Sequence, residues 1–171
     1  MTSTHTVEDS GQGAASTEAT QLSQLYMEDI VVGQQFRSAS IQVTAEEIKR
    51  FAQQFDPQPF HLDEIAAKST FFGGLAASGW HTAALTMRLL VESGMPLAGG
   101  IIGAGGDISW PQATRPADVL HVESEIITLA PSRSRPDRGM LQVRSQTINQ
   151  SGEVVQILNA KLMVWSKSSK A

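Results

Sequence analysis

Two side chains that could exchange protons with a substrate lie close together in one short segment of the sequence. Asp56 and His61 are separated by four residues, and two of these are Pro57 and Pro59. Carboxylates and imidazoles are common general acids and bases in enzymes. Because proline fixes the backbone φ angle, the prolines should hold both side chains in one geometry with little entropy to lose on binding. The segment therefore predicts an acid–base pair, whereas the structural alternative is a turn cap at Asp56 and a buried, hydrogen-bonded histidine at His61.

A glycine-rich segment further along the chain could bind a negatively charged oxygen. Residues 72–80 contain three glycines and lead into an apolar stretch with the spacing of a helix. Free backbone N–H groups and the helix dipole favour an anion at a helix start, and glycine lets a ligand oxygen approach the backbone closely. We therefore predict that Gly79 and its neighbours Ser78 and Trp80 form an oxyanion and substrate-binding site. The alternative is that these glycines only form a turn and permit tight packing of the helix.

The surrounding sequence predicts the helices that place these residues. Thr44 and Glu47 form a capping-box pattern, which marks a helix start, and Pro57 prevents that helix from continuing. Asp56 should therefore lie at the end of this first helix. A second helix is predicted for residues 76–93, and it is expected to be buried because its side chains leave little polar surface.

Most of the remaining sequence has the alternation of apolar and polar residues that is typical of strands. Strands are predicted for residues 35–43, 108–110, 119–129, 140–149 and 154–165. Residues 149–152 read Asn-Gln-Ser-Gly, a hairpin turn that pairs the last two strands. One apolar helix and about five strands predict an α+β domain in which the helix lies against an antiparallel sheet.

Composition restricts the classes of protein to which the chain can belong. The sequence has no cysteine, which excludes disulfides, thiolate metal sites and a cysteine nucleophile. Its net charge of -4 and scattered basic residues favour a small-molecule ligand or another subunit, rather than nucleic acid, as its partner. No apolar stretch is long enough to span a membrane and no secretory signal begins the sequence, so the expected location is the cytoplasm.

The composition also divides the chain into one domain and two tails. Residues 1–21 are rich in Thr, Ser, Gly, Gln and Ala, with few large apolar side chains, and are predicted to be a disordered tail. Residues 22–167 have a globular composition without repeats or a linker, which predicts a single domain. Residues 168–171 are assigned to a short C-terminal tail.

The order of these features resembles the MaoC-like dehydratases, the family of the (R)-specific enoyl-CoA hydratases. The family signature is an Asp, two residues, a Pro, one residue and a His, followed by an apolar helix that is entered through a His-Gly pair. Four positions of this sequence match that signature, namely Asp56, Pro59, His61 and Gly79. Residues 110–118 also look like the family's strand followed by a Pro-Gly-Asp turn. The resemblance extends over nearly the whole globular part of the chain.

The resemblance implies the hotdog fold, in which a long helix is wrapped by an antiparallel sheet. It further implies a homodimer with sites near the subunit interface, and a substrate that is an acyl thioester of coenzyme A or acyl carrier protein. The implied reaction is addition of water to a 2-enoyl thioester, or its removal from a 3-hydroxyacyl thioester. No metal or redox cofactor is expected, because the thioester activates its own carbon chain.

The roles implied for the site residues centre on one water molecule. Asp56 and His61 would both bind it, one removing its proton and one protonating the α-carbon, and the sequence leaves open which does which. Partial burial beside Phe55 and Phe60 is expected to raise the pKa of Asp56 toward the working pH. The N–H of Gly79 would hold the thioester oxygen as negative charge develops on it.

Departures from the family pattern bear on the choice of substrate. Gln58 stands where the family usually has Asn, and Ser78 stands where it usually has His. Trp80 and His81 place bulk where aliphatic residues are more common. An indole beside the oxyanion site is expected to narrow the acyl pocket, so a short, branched or functionalised acyl group fits as well as a straight chain. His81 could reach either this pocket or a subunit interface.

Two other functions are compatible with the same resemblance. One is a hotdog thioesterase, which attacks the thioester carbonyl, typically through one carboxylate without a histidine five residues further on. The other is a noncatalytic acyl-CoA-binding protein with the same fold. The presence of His61 favours a hydratase over a thioesterase, and the intact pair argues against a protein that only binds.

Overall fold

The computed structural model describes residues 24–170 of the chain, in which the helices precede most of the strands. Four α-helices are present in this part, namely α1 (Ala45–Phe55), α2 (Pro59–Leu62), α3 (Glu64–Ala67) and α4 (Gly79–Leu89). The strands are β1 (Gln35–Arg37), β2 (Ile41–Gln42), β3 (Ile102–Ser109), β4 (Val119–Pro131), β5 (Arg138–Ile148) and β6 (Val154–Trp165). A π-helical turn, Leu90–Gly94, extends α4, and 3-10 helices cover Met27–Asp29 and Lys167–Lys170. The tail predicted for residues 1–21 lies outside the described residues.

All strands belong to one antiparallel sheet in the order β1-β4-β5-β6-β3, with β2 also paired to β4. The hairpin predicted between the last two strands is confirmed, because Asn149 N donates to the carbonyl of Glu153 at 3.0 Å between β5 and β6. The sheet has six strands rather than about five, since the segment predicted as one strand over residues 35–43 forms both β1 and β2. Helix α4 packs against this sheet, which confirms the α+β architecture.

Helix α1 begins and ends where its sequence predicts. Thr44 Oγ1 accepts from Glu47 N at 3.2 Å, and a Glu47 carboxylate oxygen accepts from Thr44 N at 3.0 Å. At the other end, Asp56 N donates to the carbonyl of Ala52 at 2.9 Å and closes the last turn. Asp56 is therefore fixed at the C-terminal end of a helix whose inner face is anchored in the core by Ile48 and Ala52.

The prediction that the second helix is buried is wrong for one of its faces. Helix α4 begins at Gly79 rather than at residue 76, because the Ser78 hydroxyl caps it by accepting from Trp80 N at 3.2 Å. Its inner face lies in the core, but Trp80 and Val91 are 62% and 63% exposed. A helix that packs against a single sheet can bury only one face. Its apolar outer face therefore remains uncovered in the single chain.

The glycine-rich strand β3 is longer than the three residues that the sequence predicts. It runs antiparallel to β6, from Ile102 opposite Met163 to Ser109 opposite Ile157. A Cβ atom at Gly106 would collide with the carbonyl oxygen of Asn159. Glycine is a poor strand former in isolation, but Gly106 is required here because β3 and β6 approach each other closely at this residue. Among the helices of residues 24–170, none is long and apolar enough to cross a membrane.

His81 joins α4 to α1 and has no role in the predicted pair. Its ring is stacked on Phe51, with 4.7 Å between ring centroids, and its Nδ1 atom is buried without a hydrogen-bond partner. Burial is the main effect on the pKa of His81 and lowers it. The carboxylate of Glu47 raises this pKa and the charge of Arg50 lowers it, so the net pKa is below that of an ordinary histidine.

We expect His81 to make the fold sensitive to acid. As the pH falls through about 6.5, the unfolded chain takes up a proton on this imidazole that the folded chain resists, so the free energy of unfolding decreases. His81→Phe keeps the stack on Phe51 and removes the titration, so it should lose less stability on acidification. Urea unfolding of both proteins at about pH 7.5 and about pH 5.5 measures this difference. Equal losses in the two proteins would show that His81 has no such effect.

Candidate active site

The structure brings Asp56 and His61 together as the sequence predicts. Pro59 occupies the first position of the single helical turn α2, and this turn carries His61 back toward the end of α1. His61 Nε2 lies 3.4 Å from Asp56 Oδ2. The side chain of His61 is 5% exposed and that of Asp56 is 20% exposed. A separation of 3.4 Å is longer than a charge-assisted hydrogen bond, so both atoms remain able to bind a water molecule.

The orientation of the imidazole is fixed through its other nitrogen. His61 Nδ1 lies 2.7 Å from the carbonyl oxygen of Ala76. Because a carbonyl can only accept, Nδ1 carries a hydrogen, and Nε2 is the ring nitrogen that faces Asp56. The edge contact of the ring with Phe60, 4.5 Å between centroids, supports the same orientation. Nε2 is therefore the nitrogen of His61 that is placed to exchange a proton, as the sequence-based hypothesis requires.

Ser78 contacts the Asp56–His61 pair directly. The sequence predicts Ser78 only at the oxyanion site and does not predict this contact. Its hydroxyl donates to Asp56 Oδ2 at 2.6 Å, while Gln58 Nε2 donates to Asp56 Oδ1 at 2.7 Å. The same Ser78 oxygen accepts from Trp80 N. Ser78 thus links the carboxylate at the end of α1 to the start of α4.

The pKa of Asp56 moves in the opposite direction to the sequence-based expectation. Burial raises the pKa of this carboxyl, but hydrogen bonds from Ser78 and Gln58 and the charge of His61 outweigh burial, so the net pKa is lowered. Phe55 does not desolvate Asp56 as expected, because its side chain is 63% exposed. Asp56 is consequently a carboxylate at neutral pH.

We expect Ser78→Ala to raise the pKa of Asp56 toward its ordinary range. The substitution removes a donor that stabilises only the charged form, so protonation becomes easier. If turnover requires the carboxylate, the acidic limb of the pH–rate profile should move to higher pH in the variant. The matched control is Ser132→Ala in the β4–β5 loop, whose profile should coincide with that of the unmodified protein. An unmoved acidic limb in Ser78→Ala would contradict this link between Ser78 and Asp56.

Gly79 opens α4 beside the same pair. Its N–H is the first of the helix, so no preceding helical carbonyl can accept from it. Within residues 24–170 no other group accepts from this N–H either. A Cβ atom at Gly79 would lie 2.7 Å from Cε2 of Trp110, which shows how closely the indole covers this position. The free N–H is what an oxyanion site requires, whereas the close approach of Trp110 is the tight packing that the alternative predicts, so the oxyanion role stays a prediction.

The sequence predicts Trp80 in the wall of the acyl pocket, and the structure places Trp110 there instead. Trp80 is exposed, is absent from the lining of this cavity and touches Trp110 edge to face, with 5.5 Å between ring centroids. The indole N–H of Trp110 donates to Gln156 Oε1 at 2.9 Å, and Gln156 Nε2 donates to Thr86 Oγ1 at 3.0 Å. This buried chain of hydrogen bonds fixes the Trp110 ring over Gly79.

A cavity of about 790 Å³ opens between these groups. Its wall includes His61 and Gly79, together with the aromatic side chains of Phe60, Phe72 and Trp110. Its lining also includes the polar and charged side chains of Gln58, Gln112, Gln150, Glu153, Arg115 and Asp118. Asp56 is outside this wall and meets the cavity through His61 and Gln58. The cavity therefore brings His61 and Gly79 together with aromatic and polar side chains.

No group of three or more histidine, aspartate or glutamate side chains is placed to hold a metal ion in the described residues 24–170.

The chain is similar to proteins of one known family. Residues 29–126, more than half of the chain, match the MaoC like domain. The chain is 33% identical over 144 residues to YdeM of Bacillus subtilis (strain 168), a protein described as uncharacterized. This match covers 82% of the chain and 98% of YdeM.

Solved structures of related proteins have the same arrangement of helix and sheet. A MaoC-like dehydratase from Rhodospirillum rubrum is 60% identical, with a TM-score of 0.83, over 84% of this chain and 98% of that chain. An (R)-hydratase from A. caviae involved in PHA biosynthesis is 26% identical, with a TM-score of 0.63, over 79% of this chain and 97% of that chain. The fold is thereby the hotdog fold, and the chain belongs to the MaoC-like domain family.

Proposed function

We propose that this protein is a hydratase or dehydratase that interconverts 2-enoyl and 3-hydroxyacyl thioesters. The observation that carries the proposal is the pair formed by His61 Nε2 and Asp56 Oδ2, 3.4 Å apart, beside a cavity that Gly79 also lines. Membership of the MaoC-like family and similarity to an (R)-hydratase support the same reaction class.

In the proposed hydration, one water molecule is bound between Nε2 of His61 and Oδ2 of Asp56. Both atoms accept, so they can hold the two hydrogens of the water and direct its oxygen at the β-carbon. The water oxygen bonds to the β-carbon, one water proton passes to the pair, and the π electrons move toward the thioester carbonyl. A proton from the pair then reaches the α-carbon, which restores both residues to their starting state.

The negative charge of the intermediate needs a partner, and the N–H of Gly79 would supply it. A backbone N–H held at a helix start stabilises an oxyanion without having to reorient during the reaction. Trp110, packed over Gly79, would keep water away from that oxygen and so strengthen the hydrogen bond. The chemistry calls for no metal or redox cofactor, because the thioester itself polarises the double bond.

The carrier of the acyl group is proposed to be coenzyme A or acyl carrier protein. The cavity wall beside His61 and Gly79 is aromatic and apolar, as an acyl chain requires. A panel of straight, branched and dicarboxylic 2-enoyl-CoA thioesters, followed by enoyl absorbance and free thiol together, tests the proposal. Hydration removes the absorbance without releasing thiol, and unchanged absorbance for every member of the panel would contradict it.

The two rival functions give other results in that assay. A thioesterase releases thiol whether or not the acyl group is unsaturated, and a binding protein changes neither signal. His61 is the feature that favours hydration over thioester hydrolysis. In hydrolysis, a carboxylate or a water that it activates attacks the thioester carbonyl. That reaction does not need a second, separately oriented proton acceptor beside the β-carbon.

A second copy of the chain is proposed to cover the outer face of α4. Trp80, Ala84, Met87 and Val91 repeat at helical spacing on this face, and all four are exposed in the single chain. Large exposed apolar side chains in one stripe are typical of subunit interfaces.

We expect the protein to be a homodimer at micromolar concentration. Light scattering should give twice the mass of the chain, and Met87→Lys combined with Val91→Lys should shift the mass toward that of one chain, since the buried charges would lack partners. The control Arg144→Lys, on the sheet face, should remain dimeric. A monomeric mass for the unmodified protein would contradict the proposal.

A further inference from the structure

We infer that Arg115 is a positioning residue for His61, acting through the backbone of the loop that precedes α4. The expected loss of kcat rests on the proposed function, whereas the expected change in the tautomer of His61 does not. Arg115 lies in the turn between β3 and β4, and its half-buried guanidinium reaches three backbone carbonyls. Nη2 donates to Phe72 O at 2.6 Å, and Nη1 donates to Gly74 O at 2.9 Å and to Leu75 O at 3.2 Å.

These contacts use the charge of Arg115 in an uncommon way. Within residues 24–170 the guanidinium has no carboxylate partner, so the three carbonyls supply its compensation. The planar fork of arginine can hold several acceptors in a fixed relative position, which a single-point cation cannot do. The loop carbonyls are thus held in one arrangement.

The fixed loop leads directly to the imidazole. The residue after Leu75 is Ala76, whose carbonyl accepts from His61 Nδ1 and whose N–H donates to Phe60 O at 3.1 Å. One residue further on, Ala77 N donates to the carbonyl of Thr114, the neighbour of Arg115, at 2.9 Å. The Ala76 carbonyl is therefore held between the turn that bears Arg115 and the helical turn that bears His61.

The turn that presents Arg115 is itself strained and reinforced. Ala117 has a φ angle of 71°, in the left-handed region that L side chains rarely adopt. The buried carboxylate of Asp118 accepts from Arg115 N at 2.7 Å and from Gln150 Nε2 at 3.2 Å. Backbone strain of this kind persists where surrounding contacts fix it. Here the contacts of Asp118 fix the turn in the conformation from which the guanidinium of Arg115 reaches the loop.

Loss of the guanidinium should let the Ala76 carbonyl move. The hydrogen bond that keeps the ring hydrogen of His61 on Nδ1 would then be weakened. Without an acceptor held at Nδ1, part of the protein population should carry the ring hydrogen on Nε2 instead. In those molecules Nε2 has no lone pair and cannot accept a proton from water. The same loop carries Phe72 of the cavity wall, but substrate binding has several other contacts. The effect should therefore fall mainly on kcat.

The test compares Arg115→Gln and Arg115→Lys with the matched control Arg88→Gln, whose arginine is exposed and pairs with Glu92. Two readouts are used: kcat and KM for an enoyl-CoA substrate, and the nitrogen NMR signals of His61, assigned with His61→Gln. We expect Arg115→Gln to lower kcat about ten- to a hundredfold, with KM changed less than about threefold, and to mix the two tautomers. Arg115→Lys should recover part of kcat, and Arg88→Gln should match the unmodified protein.

The outcomes separate the inference from the function that it refines. A folded Arg115→Gln protein with unmixed Nδ1–H tautomer and normal kcat overturns the inference. If Arg115→Gln does not fold, Arg115→Lys decides: wild-type kcat and an unmixed tautomer in that variant also overturn it. If the unmodified protein hydrates no enoyl thioester, the proposed function fails, while the NMR signals still test the link from Arg115 to His61.

Discussion

Asp56→Asn and His61→Gln should each lower the hydration rate by at least about a hundredfold, the usual scale of lost general acid–base catalysis. Asn in place of Asp56 removes the negative charge that accepts a water proton, and Gln in place of His61 removes the Nε2 lone pair. If the two side chains act on one water molecule, as proposed, the double variant should be hardly slower than either single variant. The measurement is steady-state hydration of an enoyl-CoA substrate, with circular dichroism to verify folding.

The matched control for this pair is His121→Gln. His121 lies on β4 with its Nε2 3.4 Å from a Glu123 carboxylate, outside the cavity wall. Its loss should leave the rate unchanged. Near-normal turnover by His61→Gln would show that His61 is a structural histidine and that the assignment is wrong.

Gly79→Ala should produce the second large effect, about a hundredfold lower kcat/KM. The added methyl group would lie 2.7 Å from Cε2 and 2.8 Å from Cδ2 of Trp110, so the indole or the helix start must move. The hydrogen bond from Trp110 to the buried Gln156 opposes movement of the indole. A displacement near 1 Å at a catalytic N–H is enough for an effect of this size.

Gly103→Ala is the control for a methyl group added to a glycine. A Cβ at Gly103 meets no atom within 4 Å in the chain, and its backbone has no positive φ angle. This variant should retain the original kcat/KM. If Gly79→Ala keeps both full activity and the original preference among substrates, the oxyanion role assigned to the start of α4 is contradicted.

Local chemistry explains why part of the site could be predicted from the sequence. The capping box at Thr44 and the prolines that follow α1 act within a few residues, so the position of Asp56 at the helix end follows from neighbours in the chain. His61 is brought to Asp56 by the short turn α2, which Pro59 begins. These predictions are confirmed because no distant contact is needed to produce them.

The pocket wall could not be predicted, because it is built from residues that are distant in the sequence. Trp80 is adjacent to Gly79 in the chain, yet the residue that packs on Gly79 is Trp110, held there by Gln156. The sequence signal available for Trp110 was only its position before the turn that resembles the family's. Neighbours in the chain therefore did not indicate Trp110.

The electrostatics of Asp56 depended on distant contacts in the same way. The expected rise in pKa relied on Phe55 and Phe60, which flank the pair in sequence. The hydrogen bond from Ser78 crosses 22 positions of the chain, and together with the contributions of Gln58 and His61 it outweighs burial and lowers the pKa of Asp56. Periodicity could likewise show that α4 is apolar on several sides, but not which side the sheet would leave exposed.

The most direct test of the central claim is to run the reaction in water enriched in heavy oxygen and to identify the labelled product by mass spectrometry. Hydration forms a bond between the water oxygen and the β-carbon, so we expect the label in the hydroxyl group of an intact 3-hydroxyacyl-CoA. Thioester hydrolysis would instead place the label in the carboxylate of a free acid, with unlabelled coenzyme A released. Label in the free acid and none in the 3-hydroxyacyl-CoA would contradict the account.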